Sequence, residues 1–305
     1  MMTTGPSFPP GVSVESLLLE LRELCWGAAD ILLAYARGTQ PPFGFKRALN
    51  VDNSGEGPVS AADLAVNRWL LDGLQEKFPH SGWNLISEET SKEPLIQGTP
   101  LQEEWVWILD PLDGTKDFLQ GTGEYAVHLA LIKENRPVFG VVMLPELEEL
   151  WFGVVDVGAW CEDRKGKRAF ARFSNRRTLT ELILLSSRNH RDERLDKLIE
   201  RLRLGGTKAV GSVGCKIASI LRGESDLYIS LSSRTAPKDW DMAAPEAILL
   251  AAGGRFTHAD GNPLEYSNGN FLQKGCLIAS HGFNHSLLCQ KALNAMNLID
   301  PCFKV

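Results

Sequence analysis

Two aspartates three positions apart, Asp110 and Asp113, are the residues in this chain most clearly placed to do chemistry. They follow an apolar run, residues 105–109, whose aromatic and β-branched side chains are typical of a buried strand. Two ionised carboxylates this close repel each other, and a cation between them would remove that repulsion. Pro111 restricts the turn between them, and Gly114 lets the backbone approach a ligand closely. The segment therefore predicts a metal site at the end of a strand.

Further acidic residues lie where an apolar run ends or a helical pattern begins. Asp63 stands before a helical pattern, Glu88 and Glu89 follow a short strand-like run, and Asp241 opens another helical pattern. Each alone has an ordinary alternative role, because an aspartate can compensate a helix dipole and a glutamate can face solvent. Together the acids form the oxygen-rich set that Mg²⁺ prefers, with one or two carboxylates for each ion. We expect two or three Mg²⁺ ions to balance this charge.

The elements that position these acids follow from hydrophobic periodicity. Leucines recur at helical spacing over residues 14–36, and a second helical pattern covers residues 64–78. Three apolar runs separated by turn residues predict an antiparallel meander, and strands then alternate with helices as in an α/β fold. The predicted elements of these two regions are strands at 125–133, 138–144, 150–155, 182–187 and 227–231, and helices at 191–204, 215–221 and 241–252.

This pattern predicts three parts. We expect a disordered start at residues 1–12, an α+β domain at residues 13–179 that carries most metal ligands, and an α/β domain at residues 180–305 that completes the metal and substrate site. The basic stretch at residues 164–177 suits the boundary, and a solvated hairpin is its alternative interpretation. Residues 91–104 are predicted to be a surface loop.

Composition excludes several classes of protein. The 305 residues are 44% hydrophobic and 23% charged, which is ordinary for a globular protein. A net charge of −6 argues against a nucleic-acid polymer as partner. The six cysteines are scattered without zinc-site spacing, and no apolar run is long enough to span a bilayer. We expect a cytoplasmic enzyme, a monomer or homodimer, that acts on a small phosphorylated metabolite away from membranes.

Four ordered segments carry a family resemblance. Val59-Ser60-Ala61-Ala62-Asp63, Ser87-Glu88-Glu89, Asp110-Pro111-Leu112-Asp113-Gly114-Thr115 and Trp240-Asp241-Met242-Ala243-Ala244 resemble the signature segments of the inositol monophosphatase superfamily, which are Mg²⁺-dependent, lithium-sensitive phosphatases. The resemblance extends from about Leu17 to about His281. It implies a layered αβαβα sandwich of the inositol monophosphatase and fructose-1,6-bisphosphatase type.

Within this superfamily, the sequence is most similar to the 3′(2′),5′-bisphosphate nucleotidases. They tend to have Gly-Thr-Lys-acid-Phe where this chain has residues 114–118, and residues 186–190 and 211–216 resemble their nucleotide-holding segments. Ser230 departs from the pattern, because a basic residue often stands there, and Arg234 or Lys238 are candidates to replace it. The resemblance implies hydrolysis of the 3′-phosphate of adenosine 3′,5′-bisphosphate. The alternatives are an inositol or sugar-phosphate phosphatase and a non-catalytic phosphate-binding regulator.

The resemblance also assigns roles to residues. One ion would be held by Glu88, Asp110, the carbonyl of Leu112 and the hydroxyl of Thr115, and a second by Asp110, Asp113 and Asp241. We favour Glu88 over Glu89 because adjacent side chains of a strand diverge. Thr115, oriented by Asp63, would activate the attacking water, and the N–H groups near Gly114 and Thr115 would bind the phosphate. The residues expected to hold the rest of the substrate are Lys116, His190, Ser212 and Lys216, of which Lys216 would supply charge for a second phosphate.

Overall fold

The computed structural model describes residues 8–53, 58–91, 104–189, 193–232 and 236–303. The helices are α1 (Val14–Ala36), α2 (Ala61–Lys77), α3 (Thr115–Leu119), α4 (Glu193–Leu202), α5 (Val213–Leu221), α6 (Asp239–Ala251) and α7 (His285–Ile299). The strands are β1 (Val51–Asp52), β2 (Val59–Ser60), β3 (Asn84–Ser87), β4 (Trp105–Asp113), β5 (Ala126–Lys133), β6 (Arg136–Leu144), β7 (Glu149–Val154), β8 (Gly158–Glu162), β9 (Arg168–Phe170), β10 (Ile183–Ser187), β11 (Gly206–Val210), β12 (Leu227–Leu231), β13 (Arg255–His258) and β14 (Cys276–Ser280).

The described elements form five layers. A seven-stranded sheet in the order β3-β4-β5-β6-β7-β8-β9 carries α1 and α2 on one face and α6, beside α5, on the other. The second sheet, in the order β11-β10-β12-β14-β13, packs on α5 and α6 and is covered by α4 and α7. The predicted αβαβα sandwich is confirmed.

Helix α1 shows why the outer layer forms. Ser13 caps it, with its hydroxyl accepting from the backbone of Ser16, and the helix ends at Ala36 as the leucine spacing predicts. Leu17, Leu21 and Leu24 are buried against α2 and the first sheet. The apolar stripe therefore fixes which face of α1 meets the core.

Strand β4 is longer than predicted. It continues past Leu109 to Asp113, and its register against β5 shifts between Asp110 and Asp113. Three steps on β4 span two steps on β5, which is a β-bulge. Pro111 has no N–H for the ladder and is tolerated because it lies within the bulge. The bulge brings both aspartates to the same edge of the sheet.

Helix α6 lies directly on the first sheet. A Cβ at Gly140 would stand 2.5 Å from Cβ of Ala247, and one at Gly153 would stand 2.5 Å from Cα of Ile248. The absence of side chains at these glycines therefore permits the close approach. A helix of the second half of the chain therefore packs on the sheet of the first half. The domain boundary near residue 180 stays a prediction.

Several local predictions meet different outcomes. The basic stretch begins in a hairpin of β8 and β9, as its alternative interpretation proposed. Phe8 stacks on Trp105 with ring centroids 6.4 Å apart, so the expected disordered start does not include residues 8–12. Residues 1–7, and residues 92–103 of the loop predicted at 91–104, lie outside the described residues. Among the helices that the structure describes, none combines the length and apolarity needed to cross a membrane.

Candidate active site

Three predicted metal ligands come together. Carboxylate oxygens of Asp110, Asp113 and Asp241 lie within 4.8 Å of one another. Asp110 and Asp113 flank the bulge of β4, and Asp241 lies in the first turn of α6. The bulge and the close packing of α6 on the sheet thus build the cluster from residues more than a hundred positions apart.

The cluster is electrostatically unfavourable unless a positive charge joins it. Asp110 is 1% exposed; its Oδ1 accepts from the N–H of Leu112 at 2.9 Å, whereas its buried Oδ2 has no hydrogen-bond partner among the described residues. Burial, together with the charges of Glu88, Asp113 and Asp241, raises the pKa of Asp110 well above its ordinary value. Burial and the charge of Asp113 raise the pKa of Asp241 to about 7. A hard divalent cation fits this donor set, because it would provide the missing partner of Oδ2 and keep the acids ionised.

Glu88 lies near this cluster, in the turn after β3. Its N–H donates to the carbonyl of Leu109 at 3.1 Å, and its charge is among those that raise the pKa of Asp110. The strand ends at Ser87, so the alternation of a continuing strand does not separate Glu88 from Glu89 as the prediction assumed. The influence of Glu88 on Asp110 supports its choice, which stays a prediction.

Asp63 and Thr115 are in contact. Oγ1 of Thr115 lies 3.1 Å from Oδ1 of Asp63 and 3.1 Å from the carbonyl oxygen of Leu112, and it can donate to one of them at a time. Oδ2 of Asp63 accepts from the backbone N–H of Ser60 at 2.8 Å and from its hydroxyl at 2.6 Å. Asp63 is therefore both an acid in the first turn of α2, where its alternative interpretation placed it to compensate the helix dipole, and a partner of Thr115. Burial has the larger effect on Asp63 and raises its pKa above the ordinary value. The hydrogen bonds from Ser60 and Thr115 act in the opposite direction and reduce this shift.

Ser212 and Lys216 both have partners within the protein, and their predicted substrate roles stay predictions. Ser212 is 5% exposed, and its hydroxyl donates to Oδ2 of Asp113 at 2.5 Å, beside the N–H of Val213 at 2.5 Å. Lys216 is 2% exposed and donates to the carbonyls of Gly211 and Ser212, at 2.7 and 3.0 Å. Both side chains thus have partners within the protein: Ser212 orients Asp113, and Lys216 holds the backbone that leads into α5.

The remaining predicted substrate residues have varied placements. Gly114 adopts φ = 91° directly before α3, and a Cβ there would lie 3.0 Å from the carbonyl oxygen of Glu124. Lys116 is exposed on α3, whereas His190 lies outside the described residues. Lys238 precedes α6 and donates its N–H to Oδ2 of Asp241 at 2.6 Å, so it lies beside the cluster.

An ionic network that includes Asp117 of α3 was not predicted from the sequence. Buried Asp117 accepts from Nη1 of Arg188 at 2.6 Å and from Nδ2 of Asn189 at 2.8 Å. Nη2 of Arg188 lies 2.8 Å from Oε2 of Glu124, which accepts from the N–H of Gly211 at 2.6 Å. Asp117 carried a signal as the acid before Phe118 in the motif segment, and Arg188, Asn189 and Gly211 lie in the segments that resemble nucleotide-holding segments, but nothing in the sequence indicated that they contact one another.

His128 was also missed. It is fully buried in β5, where burial lowers its pKa and favours the neutral ring. The available signal was a single polar side chain inside the apolar run of residues 125–133. Its ring lies between Asp113 and α6.

Comparison with known proteins gives consistent matches. A model of the inositol monophosphatase family matches residues 14–297. The 3′(2′),5′-bisphosphate nucleotidase CysQ of Shigella flexneri is 32% identical over 267 residues, which cover 86% of this chain and 99% of that protein. CysQ of Escherichia coli K12 is 31% identical with the same coverage. The inositol-1-monophosphatase of Bacillus subtilis is 26% identical over 247 residues, covering 78% of this chain and 84% of that protein.

Solved structures support the fold. An IMPase of Thermotoga maritima, 24% identical, superposes with a TM-score of 0.71 over 92% of this chain and 98% of that one. An IMPase/NADP phosphatase complexed with Mg²⁺ and phosphate, 19% identical, gives a TM-score of 0.70 over 90% and 95% of the two chains. The layer order seen here is therefore shared with phosphatases of known structure.

Proposed function

We propose that this chain, which belongs to the inositol monophosphatase family and is a phosphoric monoester hydrolase, removes the 3′-phosphate of adenosine 3′,5′-bisphosphate in a Mg²⁺-dependent reaction. The sulfated form of this nucleotide is a second candidate substrate. The observation that carries the proposal is the cluster of Asp110, Asp113 and Asp241 beside the contact between Asp63 and Thr115. The nucleotide is favoured because the relatives named CysQ match at 31–32% identity, against 26% for the inositol-1-monophosphatase. A cytoplasmic location and a monomeric or dimeric state stay predictions.

The residues proposed to hold Mg²⁺ are Asp110, Asp113, Asp241, Glu88 and the carbonyl of Leu112. Bound Mg²⁺ supplies a Lewis acid that makes water more acidic and offsets the charge of the phosphoryl oxygens. The chain's own contribution is to hold the carboxylates together. The α5 N-terminus fixes Asp113, and the N–H of Lys238 fixes Asp241.

Thr115 and Asp63 are proposed to move a proton. When Oγ1 of Thr115 donates to Oδ1 of Asp63, its lone pairs can accept a proton from the attacking water while its own hydroxyl proton passes to Asp63. Asp63 is suited to this role because burial raises its pKa, while the two donors of Ser60 keep Oδ2 occupied and direct Oδ1 at Thr115. The N–H groups near Gly114 are proposed to bind the phosphate.

An inositol or sugar-phosphate phosphatase is the second candidate. The buried position of Lys216 favours it, because the ammonium donates to two backbone carbonyls and is not presented to a second phosphate. The serine at position 230, where nucleotidases often have a basic residue, points the same way.

Phosphate release from a substrate panel tests the proposal. Purified protein would be assayed in Mg²⁺ with adenosine 3′,5′-bisphosphate, AMP, inositol 1-phosphate and fructose 1,6-bisphosphate, with EDTA as the metal-free control. We expect kcat/KM for the bisphosphate nucleotide to exceed that of the other substrates by about 10-fold or more, which corresponds to about 1.4 kcal/mol of transition-state binding. A higher value for inositol 1-phosphate would establish the second candidate. Calorimetric binding of these esters without any turnover would indicate a non-catalytic regulator.

A further inference from the structure

His128 contacts Asp113 and lies next to the segments that carry Asp110 and Asp241. Its backbone pairs opposite Asp110 in the β4–β5 ladder. Its Nε2 lies 3.4 Å from Oδ2 of Asp113, and its Nδ1 lies 3.3 Å from the carbonyl oxygen of Trp240, the residue before Asp241. One buried ring thus connects the strand that carries two acids to the helix that carries the third.

The packing around the ring is close. A Cβ at Gly214 would lie 2.4 Å from Nε2 of His128, so only glycine lets the start of α5 approach here. The N–H of Gly214 is in turn 3.4 Å from Oδ2 of Asp113. Replacing His128 with a side chain of another size would therefore move α5, α6 and Asp113 relative to one another.

The two ring nitrogens are not equivalent. Both of their neighbours, a carbonyl and a carboxylate, are hydrogen-bond acceptors, whereas a neutral imidazole has one N–H. The Nδ1 contact with Trp240 meets the geometry of a hydrogen bond, and Nε2 lacks an aligned partner among the described residues in spite of its 3.4 Å contact. Nδ1 is therefore the anchoring atom, and Nε2 sets how closely Asp113 can approach.

We propose that His128 is a positioning residue of the metal site, which anchors the start of α6 through Nδ1 and limits the position of Asp113 through Nε2. The ring thereby sets the separation of Asp113 and Asp241. This inference rests on the metal site of the proposed function, and it adds a residue that coordinates no ion itself. Residues that orient metal ligands typically change metal affinity by about 10- to 100-fold when they are replaced.

Direct metal binding tests this role independently of turnover. Mn²⁺ binding would be measured by electron paramagnetic resonance for the full chain and for His128→Leu, His128→Asn and His128→Gln. Asn places its amide near the position of Nδ1, and Gln near that of Nε2. We expect His128→Leu to weaken Mn²⁺ binding by about 10-fold or more, with His128→Gln also weakened and His128→Asn closer to the wild type.

A matched control separates positioning from stability. His285 is likewise buried, 8% exposed, and bonds Ser280 and Thr257 in another part of the fold. His285→Leu is expected to lower the unfolding temperature without changing Mn²⁺ affinity. If folded His128→Leu bound Mn²⁺ like the wild type, the inference would be wrong.

The remaining outcomes are also decisive. If His128→Leu did not fold, equal Mn²⁺ affinities of the Asn and Gln variants would refute the anchoring role of Nδ1. A wild-type chain that bound Mn²⁺ but hydrolysed no phosphate ester would refute the proposed function and leave the role of His128 to be decided by the variants. A wild-type chain that bound no Mn²⁺ would refute both.

Discussion

Arg188 and Asp117 form an ion pair, with Nη1 2.6 Å from Oδ1, that joins the end of β10 to helix α3. Asp117 is 3% exposed, and it also receives the amide of Asn189. Helix α3 begins at Thr115, so its position decides where the hydroxyl meets Asp63. The ion pair therefore couples the second half of the chain to the proposed proton-transfer pair.

Asp117→Ala is expected to lower kcat/KM and to destabilise the fold. It removes the partner of Nη1 of Arg188 and the acceptor for the amide of Asn189, a loss of about 1–3 kcal/mol in unfolding free energy. Urea unfolding and phosphate release would measure the two effects. Arg68→Met, which removes a pair between exposed side chains, should change neither. An Asp117→Ala variant with wild-type stability would show that the ion pair between Asp117 and Arg188 contributes nothing to the free energy of unfolding.

Asp113→Asn is expected to abolish most activity while the fold stays intact. The side chain keeps its volume and can turn its amide oxygen toward the donors of Ser212 and Val213, but it loses the charge that a metal ligand needs. We expect kcat to fall by about 100-fold or more, with an unchanged circular dichroism spectrum. Asp72→Asn, an exposed aspartate on α2, is the matched control. Near-wild-type turnover of Asp113→Asn would refute the assignment of Asp113 as a metal ligand.

The sequence predicted the elements and the acids better than it predicted the contacts between halves of the chain. The bounds of α1 coincide with the leucine pattern, because spacing and a capping serine are local properties. The contact of Ser212 with Asp113 joins residues 99 positions apart, and no spacing rule reports it. Substrate roles were therefore assigned to Ser212 and Lys216 from motif resemblance, although their partners lie inside the protein.

Two other differences arise from contacts with other elements. The bulge that carries β4 past Leu109 depends on pairing with β5, which the residues of β4 alone do not specify. The buried ring of His128 was hidden in an apolar run because its partners are contributed by another strand and by α6. The acids of the cluster could be predicted because each follows an apolar run or opens a helical pattern in the sequence.

Thr115 and Asp63 are expected to act as a unit. Thr115→Ala and Asp63→Asn should each lower kcat by about 100-fold or more. The kcat of the double variant should be no lower than that of the less active single variant. Thr115→Ser keeps the hydroxyl and should retain most activity. Ser13→Ala is the control for stability, because it removes the cap of α1, and about 1 kcal/mol of stability, without touching Asp63 or Thr115. Additive losses in the double variant would refute a shared proton-transfer role.

Without metal, the stability of this protein should fall as pH rises. The stability of a protein whose carboxylates are ion-paired rises with pH instead. Burial and the charge of Asp113 raise the pKa of Asp241 from 3.8 to about 7, so the folded chain binds this proton more tightly than the unfolded chain does. Because the native state then holds more protons, the contribution of Asp241 to stability is present below pH 3.8 and is lost as pH rises toward about 7. The raised pKa of Asp110 acts in the same direction.

Thermal unfolding in EDTA and in Mg²⁺, between pH 4.5 and pH 7.5, checks this sign. Metal binding requires ionised carboxylates, so we expect the gain in unfolding temperature on adding Mg²⁺ to grow as pH rises. Asp239 and Glu246, whose pKa values are raised to about 6 and about 7, contribute a background of the same sign. Asp241→Asn isolates the contribution of the cluster. In EDTA its unfolding temperature should depend less on pH than that of the wild type, while the background from Asp239 and Glu246 remains. If the wild type and Asp241→Asn lost stability with the same slope, the raised pKa of Asp241 would not be the cause.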